Sequence, residues 1–414
     1  MAHASPLTRR KPAEWVARGV LAIGAAWLGF HAVTHSLAYV VRVRATEQAH
    51  AMAPGNARIT ALLAVRMLRP GAKPEDFARA KGLARTALRQ DASVVDAVAT
   101  LALLAQGRQD HAQAQRLFAY SNRLSRRDLR SRLGMIEESV ARNDVPGALR
   151  NYDIALRTSR LSSEILFPVL SSAITDTMVR RHLIDMLAKQ PPWAGAFISH
   201  VTMHGSDALA AAALLRALHR QRVGTPPDAP AIIIDRLLAQ NEGQAAWAFY
   251  ATVVQGTEPR RSRDPSFDKG PEVASAFDWR ALQGSGISTT LQRDADGGIF
   301  DFSVVTSVGG PLLRQTQVLP PGDYILEGRS AGIDQADGSL PYWSLTCLSG
   351  REIGRVAVPN SDQNDGGFAG KLTVPADCPV QQLTLVARAS DKVGGVTGQI
   401  HQTAIRPVQQ AEAK

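Results

Sequence analysis

Trp279, Tyr342 and Trp343, with Arg280 beside the first, are the residues of this chain best suited to holding a ligand. Sugar rings stack on exposed aromatic faces because their axial C–H groups meet the negative π face. An arginine grips the carboxylate of an acidic sugar through its planar fork. Core packing is the competing use of large aromatics. Tyr342 and Trp343 are adjacent, so in a strand they point to opposite faces and cannot both be core. Asp362, Asn364 and Asp365 ahead of Gly366-Gly367, and Asp294 and Asp296 ahead of Gly297-Gly298, offer oxygen ligands of the kind Ca²⁺ takes. They lack EF-hand spacing, and ordinary Asp/Gly turns use the same residues, so no metal and no cofactor are expected. His31 and His35 share one helical face inside an apolar run, where a polar packing stripe is the expected role rather than metal or haem ligation. No nucleophile–base–acid spacing, phosphate-binding glycine motif or HExxH occurs. A non-enzymatic protein is therefore expected. A glycan-modifying enzyme stands as the alternative, since spatial triads leave no trace in sequence spacing.

These aromatics fall in a region that reads as strands. Beyond residue 266 the apolar periodicity is two, in short runs at 287–292, 299–306, 312–319, 323–328, 342–347, 354–358, 367–374, 382–388 and 395–405. Turns such as Asp296-Gly297-Gly298, Pro320-Pro321-Gly322-Asp323 and Asp337-Gly338 separate them. Eight or nine strands at this spacing predict an antiparallel β-sandwich, jelly-roll-like. The chain's two cysteines, Cys347 and Cys378, both lie here. An even count in an exported segment predicts a disulfide, with two buried thiols as the alternative.

Upstream the period is helical. Ala80, Ala114 and Ala148 lie 34 residues apart; Ala84, Phe118 and Tyr152 follow four residues later, and Ala87, Ser121 and Ala155 three beyond. This is the small–aromatic–small pattern of the second helix of a tetratricopeptide (TPR) unit. The small residues let the two helices of one hairpin approach, and Phe118 and Tyr152 fill the groove toward the next. Units run over 57–92, 93–128 and 129–164, after a helix over 45–70 that Arg69-Pro70-Gly71 ends. Past 164 the period fails, with His182 where a small residue is needed. Helical periodicity continues through 166–187, 194–203, 207–222 and 231–254, read as degenerate hairpins closing an α-solenoid.

Gly19 to Val41 contains no Asp, Glu, Lys or Arg, and a helix of that length crosses a hydrocarbon core of ~30 Å. Arg9, Arg10, Lys11 and Arg18 precede it, and Arg42 and Arg44 follow. The heavier positive flank places the N-terminus in the cytoplasm and the bulk of the chain outside. A cleaved signal peptide is the competing reading, with Ala49-His50-Ala51 as a cleavage site, but its apolar region is shorter. Residues 1–260 carry 33 Lys+Arg against 20 Asp+Glu, and residues 261–414 carry 14 against 17. A basic helical array suits anionic lipid headgroups, acidic polysaccharide or acidic protein. No nucleic-acid-binding motif accompanies the dispersed basic residues, so nucleic acid is not an expected partner.

The expected organisation is a cytoplasmic basic N-terminus (1–18), a transmembrane signal anchor (19–41), a TPR-like repeat domain (45–257), a polar linker (258–266), a β-sandwich (267–408) and a disordered tail (409–414). Phe277-Asp278-Trp279-Arg280, Gln315, Leu319-Pro320-Pro321-Gly322-Asp323-Tyr324, Trp343 four residues before Cys347, and Val374-Pro375 with Cys378 together resemble the carbohydrate-binding-like domain of a group of proteobacterial membrane-anchored TPR proteins. Those proteins share the layout of one span, degenerate repeats and a sandwich. The resemblance implies association with exopolysaccharide or O-antigen assembly. It frames the chain as an inner-membrane, single-pass, periplasmic scaffold that docks protein partners on its helices and glycan or protein on its sandwich. A purely structural assembly factor is a further alternative.

Overall fold

The computed structural model describes residues 12–294 and 297–408. Arg9, Arg10, Lys11, Asp296 and the tail 409–414 lie outside the described residues. The chain forms two compact units, one up to Leu166 and one from Phe167 onward.

In the first unit, α1 (Pro12–Val41) is a continuous helix whose apolar side chains, from Trp15 to Val40, stand exposed along most of its length. By length and composition it can cross a membrane, as an anchor or as a signal sequence. Its last turns are packed. Ala38 is buried against Ala49, Ala53 and Ile59, and His35 Nε2 lies 2.9 Å from Asn56 Nδ2. The helix expected over 45–70 is two, α2 (Thr46–Met52) and α3 (Ala57–Arg66). Pro54-Gly55 breaks it, and Asn56 restarts it by accepting the Arg58 and Ile59 N–H groups at 3.1 and 3.2 Å.

The hairpins follow: α3 with α4 (Pro74–Gln90), α5 (Val95–Gly107) with α6 (His111–Leu124), and α7 (Leu129–Ala141) with α8 (Val145–Thr158). The tight turns within the last two are built alike. Gln109 and Asn143 take the left-handed conformation (φ 60° and 56°), and the next residues, Asp110 and Asp144, cap the second helix through Gln113 N and Gly147 N. Ala80, Ala84, Ala87, Ala114, Phe118, Ser121, Ala148, Tyr152 and Ala155 are all buried. Phe118 reaches α7 of the next hairpin, where Gly134 leaves the space its ring fills. A Cβ on Gly134 would lie 2.1 Å from that ring. Ser121 and Ser131 hydroxyls meet beside it at 2.7 Å.

The division between the units falls inside α9 (Ser162–Ala173). The second unit continues with α10 (Thr177–Leu187), α11 (Ala194–His204), α12 (Ala208–Arg220), α13 (Ala229–Ala239) and α14 (Gly243–Val253). The repeat pattern returns here, out of the 34-residue period. Counted from the acidic residue before each helix, Asp110 leads to Ala114, Phe118 and Ser121. Asp207 leads by the same steps to Ala211, Leu215 and Leu218, and Glu242 leads to Ala246 and Tyr250. These side chains are buried like their counterparts. Packing fixes the offset from a helix start, whereas the segments between hairpins are free to change length, so a fixed period misses them.

The sandwich consists of β1 (Arg280–Ala281), β2 (Ile287–Asp294), β3 (Gly297–Val304), β4 (Gly310–Gln317), β5 (Gly322–Ala331), β6 (Tyr342–Cys347), β7 (Glu352–Ala357), β8 (Gly367–Val374), β9 (Gln381–Ala387) and β10 (Val396–Pro407). Two antiparallel five-stranded sheets, ordered β1-β4-β9-β6-β7 and β2-β3-β10-β5-β8, enclose one core in a jelly-roll-like arrangement. The two-residue β1 is the strand too short for periodicity to reveal. Alternation sends Phe300, Phe302 and Val304 of β3 and Leu383, Leu385 and Ala387 of β9 inward. A Cys347–Cys378 disulfide ties the end of β6 to the segment before β9.

Gly134→Ala is expected to wedge Phe118 out of its groove and to cost about 1–3 kcal/mol. Thermal unfolding of the full chain checks it, and an unchanged transition would refute the assigned contact between hairpins.

Candidate functional site

Residues 258–266, expected as a polar linker, contain a buried cation. Arg263 is 8% exposed. Its Nε donates to Phe277 O at 2.7 Å, Nη2 to Thr316 O, and Nη1 to Gln317 Oε1 at 3.4 Å. The rings of Trp247, Tyr250 and Phe277 surround its guanidinium at 5.1, 5.7 and 5.4 Å. Burial pushes its pKa down to about 10, so it stays charged at neutral pH. Trp247 and Tyr250 come from α14, and Thr316 and Gln317 from β4, so one side chain joins the last helical hairpin to the sandwich. Burial, with Asp278 beside it, pushes the Tyr250 phenol well above its ordinary range; its hydroxyl donates to Asp278 Oδ1 at 2.7 Å.

The Phe277-Asp278-Trp279-Arg280 run belongs to this junction. Phe277 lies edge-on to Trp247. Asp278 also accepts from Ser275 N and Oγ at 2.8 and 2.6 Å. Trp279 is 2% exposed, with its Nε1 donating to Asp264 O at 2.8 Å and its ring packed between Phe267 and Trp343. Arg280 pairs with Asp235 of α13 at 2.8 Å. Trp343 is wholly buried at the centre of the sandwich core. Neither tryptophan presents a face to solvent.

Tyr342, one residue earlier in β6, points out of the same sheet. Arg355 of β7 lies 4.1 Å from its ring centroid, and Arg388, just past β9, lies 5.0 Å from it. The two guanidiniums come from the strands on either side of β6. Arg355 also pairs with Glu352 at 3.0 Å; that bond, followed by one from Ser344 Oγ, holds the Glu352 carboxyl below its usual range despite some burial. The outcome is a half-exposed phenol flanked by cations, suited to a carboxylate or sulfate more than to a neutral sugar face. Neither Arg355 nor Arg388 stands out in the sequence. They reach Tyr342 only through the strand register, which sets Ala357 and Val386 opposite the ring.

Asn364 and Asp365 sit in a turn before β8, both left-handed at φ 51°. Among the described residues no group of three His, Cys, Asp or Glu side chains is arranged to hold a metal. His31 contacts Trp27 and Phe30 within α1. Asp264 is the most perturbed carboxyl. Burial, with Asp268 nearby, holds it up at about 6, although Lys269 N donates to it at 3.0 Å. A further polar cleft of about 360 Å³ is lined by Ser266, Gly297, Gly298, Arg329, His401 and Gln402. His401 is the extra residue where the β10–β5 register slips.

No family model and no curated protein matches the chain. Among solved structures it is similar over 55% of its length to one described as functional characterization of Pseudomonas aeruginosa pilF (14% identity, 94% of that chain, TM-score 0.28). Over 36% it is similar to CBM4 (13% identity, 99% of that chain, TM-score 0.27). Over 32% it is similar to the enzymatically active domain of bacteriophage CBA120 tailspike protein 4 (16% identity, TM-score 0.24), of which it spans 20%. All three scores are below 0.5, and the fold stands on the chain's own elements: a TPR-like helical array and an antiparallel β-sandwich.

Arg263→Met is expected to leave the Phe277, Thr316 and Gln317 oxygens without their donor, at a cost of at least about 2 kcal/mol; urea unfolding followed by tryptophan fluorescence measures it. A pH series tests Asp264. Its folded pKa is raised, so its contribution to stability is fully present below about pH 4 and is lost as pH rises through about 6. Relative to Asp264→Asn, the wild type should therefore lose melting temperature between pH 4 and 6. A constant difference between the two proteins over that window would contradict the assignment.

Proposed function

We propose that this chain is a membrane-anchored, non-enzymatic interaction scaffold of an envelope polysaccharide assembly system. In this reading α1 is an uncleaved inner-membrane anchor, and the rest of the chain lies in the periplasm. The TPR-like helices dock protein partners, and the sandwich holds an acidic glycan. The exposed apolar length of α1 supports the anchor. The Cys347–Cys378 bond supports an oxidising compartment.

The observation that carries the reading is the Arg355–Tyr342–Arg388 cluster on the outer face of the sandwich. Arg388 offers a forked donor to a sugar carboxylate beside the phenol, and Arg355, whose Nε and Nη2 are held by Glu352, adds a second guanidinium against the same ring. The buried tryptophans supply no stacking platform, so charge rather than ring stacking recognises the ligand, and neutral glycans are poor ones.

Retention of the full chain, in detergent, on immobilised polygalacturonate and on dextran tests this. Wild type should be retained on the acidic polymer and not on dextran. Arg388→Ala should weaken retention about tenfold, as loss of one charge-assisted contact does, and Arg355→Ala, which leaves Glu352 unpaired beside the ring, should weaken it as well. Equal retention on both polymers, or full retention by both variants, would exclude the cluster as a glycan site.

A further inference from the structure

A second cationic site lies where α1 ends. Arg44, Arg66, Arg69 and Arg79 line a cleft of about 620 Å³, with Glu47 and Asp76 as its carboxylates. These six come from the turn after α1 and from the first elements of the helical array, so no sequence window brings them together. Arg44, Arg69 and Arg79 make no ion pair with any described residue. Asp76 is occupied by capping Lys73 N at 3.0 Å. The cleft therefore has more guanidinium than its own carboxylates neutralise.

Its position relative to α1 is fixed. Arg66 Nη2 donates to Val43 O, and the turn closes through Arg44 N to Val41 O at 3.0 Å. Buried Ala38 and the His35–Asn56 contact clamp the last turns of α1 to the same elements. Arg44 lies three residues beyond the end of α1. In the anchor reading α1 leaves the hydrocarbon before His35, where α2 and α3 pack on it, so the cleft lies on the headgroup side where α1 emerges. Tyr39, with Arg42 stacked 3.5 Å from its ring centroid, lies in the last turn of α1 on the same side, and amphipathic rings settle at membrane interfaces. We infer that this cleft binds the phosphate of an anionic phospholipid in the membrane that α1 crosses. Arginine suits the task because its fork pairs with phosphate oxygens two at a time and it is held charged at all relevant pH. A bound lipid there pins the first hairpin against the bilayer and sets the direction in which the helical array leaves the membrane.

The inference rests on the anchor reading, and the experiment separates the two. Full-length protein in zwitterionic micelles is titrated with dioleoylphosphatidylglycerol, with dioleoylphosphatidylcholine and with inorganic phosphate, and bound lipid is counted by native mass spectrometry. Phosphatidylglycerol should be retained in preference to phosphatidylcholine, with inorganic phosphate in excess displacing little of it. Each juxtamembrane cation contributes about fivefold to anionic-lipid attraction, so Arg69→Gln with Arg79→Gln should weaken phosphatidylglycerol retention about 25-fold and leave phosphatidylcholine unchanged. Among the described residues neither side chain has a hydrogen-bond partner to lose, and the wild-type preference is read without any variant. No preference between the two lipids, or displacement by free phosphate, overturns the lipid assignment. Alkaline carbonate extraction of membranes from expressing cells tests the anchor separately. Release of the chain into the soluble fraction overturns the anchor and the lipid site together. Retention without lipid preference overturns the lipid site alone.

Discussion

A buried arginine organises the second unit. Removing a guanidinium from water is costly unless its donors are used and its charge is met. Arg263 meets both demands only if three elements are in place at once. Phe277 and β4 must present their oxygens, and α14 must present Trp247 and Tyr250. The segment that leaves the helices is therefore held in place only together with the strands around it. This couples helix and sheet through a requirement for satisfaction of charge, not through apolar area alone.

The same junction reuses the packing rule of the repeats. Ala148 and Tyr152 in α8 find their counterparts in Ala246 and Tyr250 of α14. In a repeat array the aromatic ring fills the groove toward the next hairpin, as Phe118 does against Gly134. Tyr250 has no further hairpin after it in the chain, and its ring meets Phe277 while its hydroxyl reaches Asp278. An array that would otherwise end on an open apolar groove is closed by the lead-in to the sandwich. This serves in place of the polar capping helix such arrays ordinarily need.

Charge on the surface follows a different logic from charge in the junction. Arg263 is fixed by protein oxygens and aromatic rings. Arg44, Arg69 and Arg79 line the cleft near the end of α1 with no ion-pair partner among the described residues, and Arg355 and Arg388 crowd one phenol on the sandwich face. The proposed ligands, an anionic lipid at one site and an acidic glycan at the other, answer these two excesses of positive charge.

The sequence by itself determined the element types, because hydrophobic period is local: 3.6 before residue 254, two after 280, and an uncharged run long enough for a membrane at 19–41. The 34-residue recurrence placed Ala114, Phe118 and Tyr152 on the buried faces they occupy. Alternation within β6 required Tyr342 and Trp343 to part, and the sheet assigned which went inward. What the tertiary structure alone decided is contact between distant residues. Arg263 reads as solvated in a run of Arg, Ser and Asp because nothing nearby announces the oxygens at 277, 316 and 317. Arg355 and Arg388 gain their meaning from strand register, and Arg44, Arg66, Arg69 and Arg79 from the packing of α1 onto the first helices. Periodicity reports which face of an element is apolar, whereas the site residues are polar and are defined by what folding brings beside them.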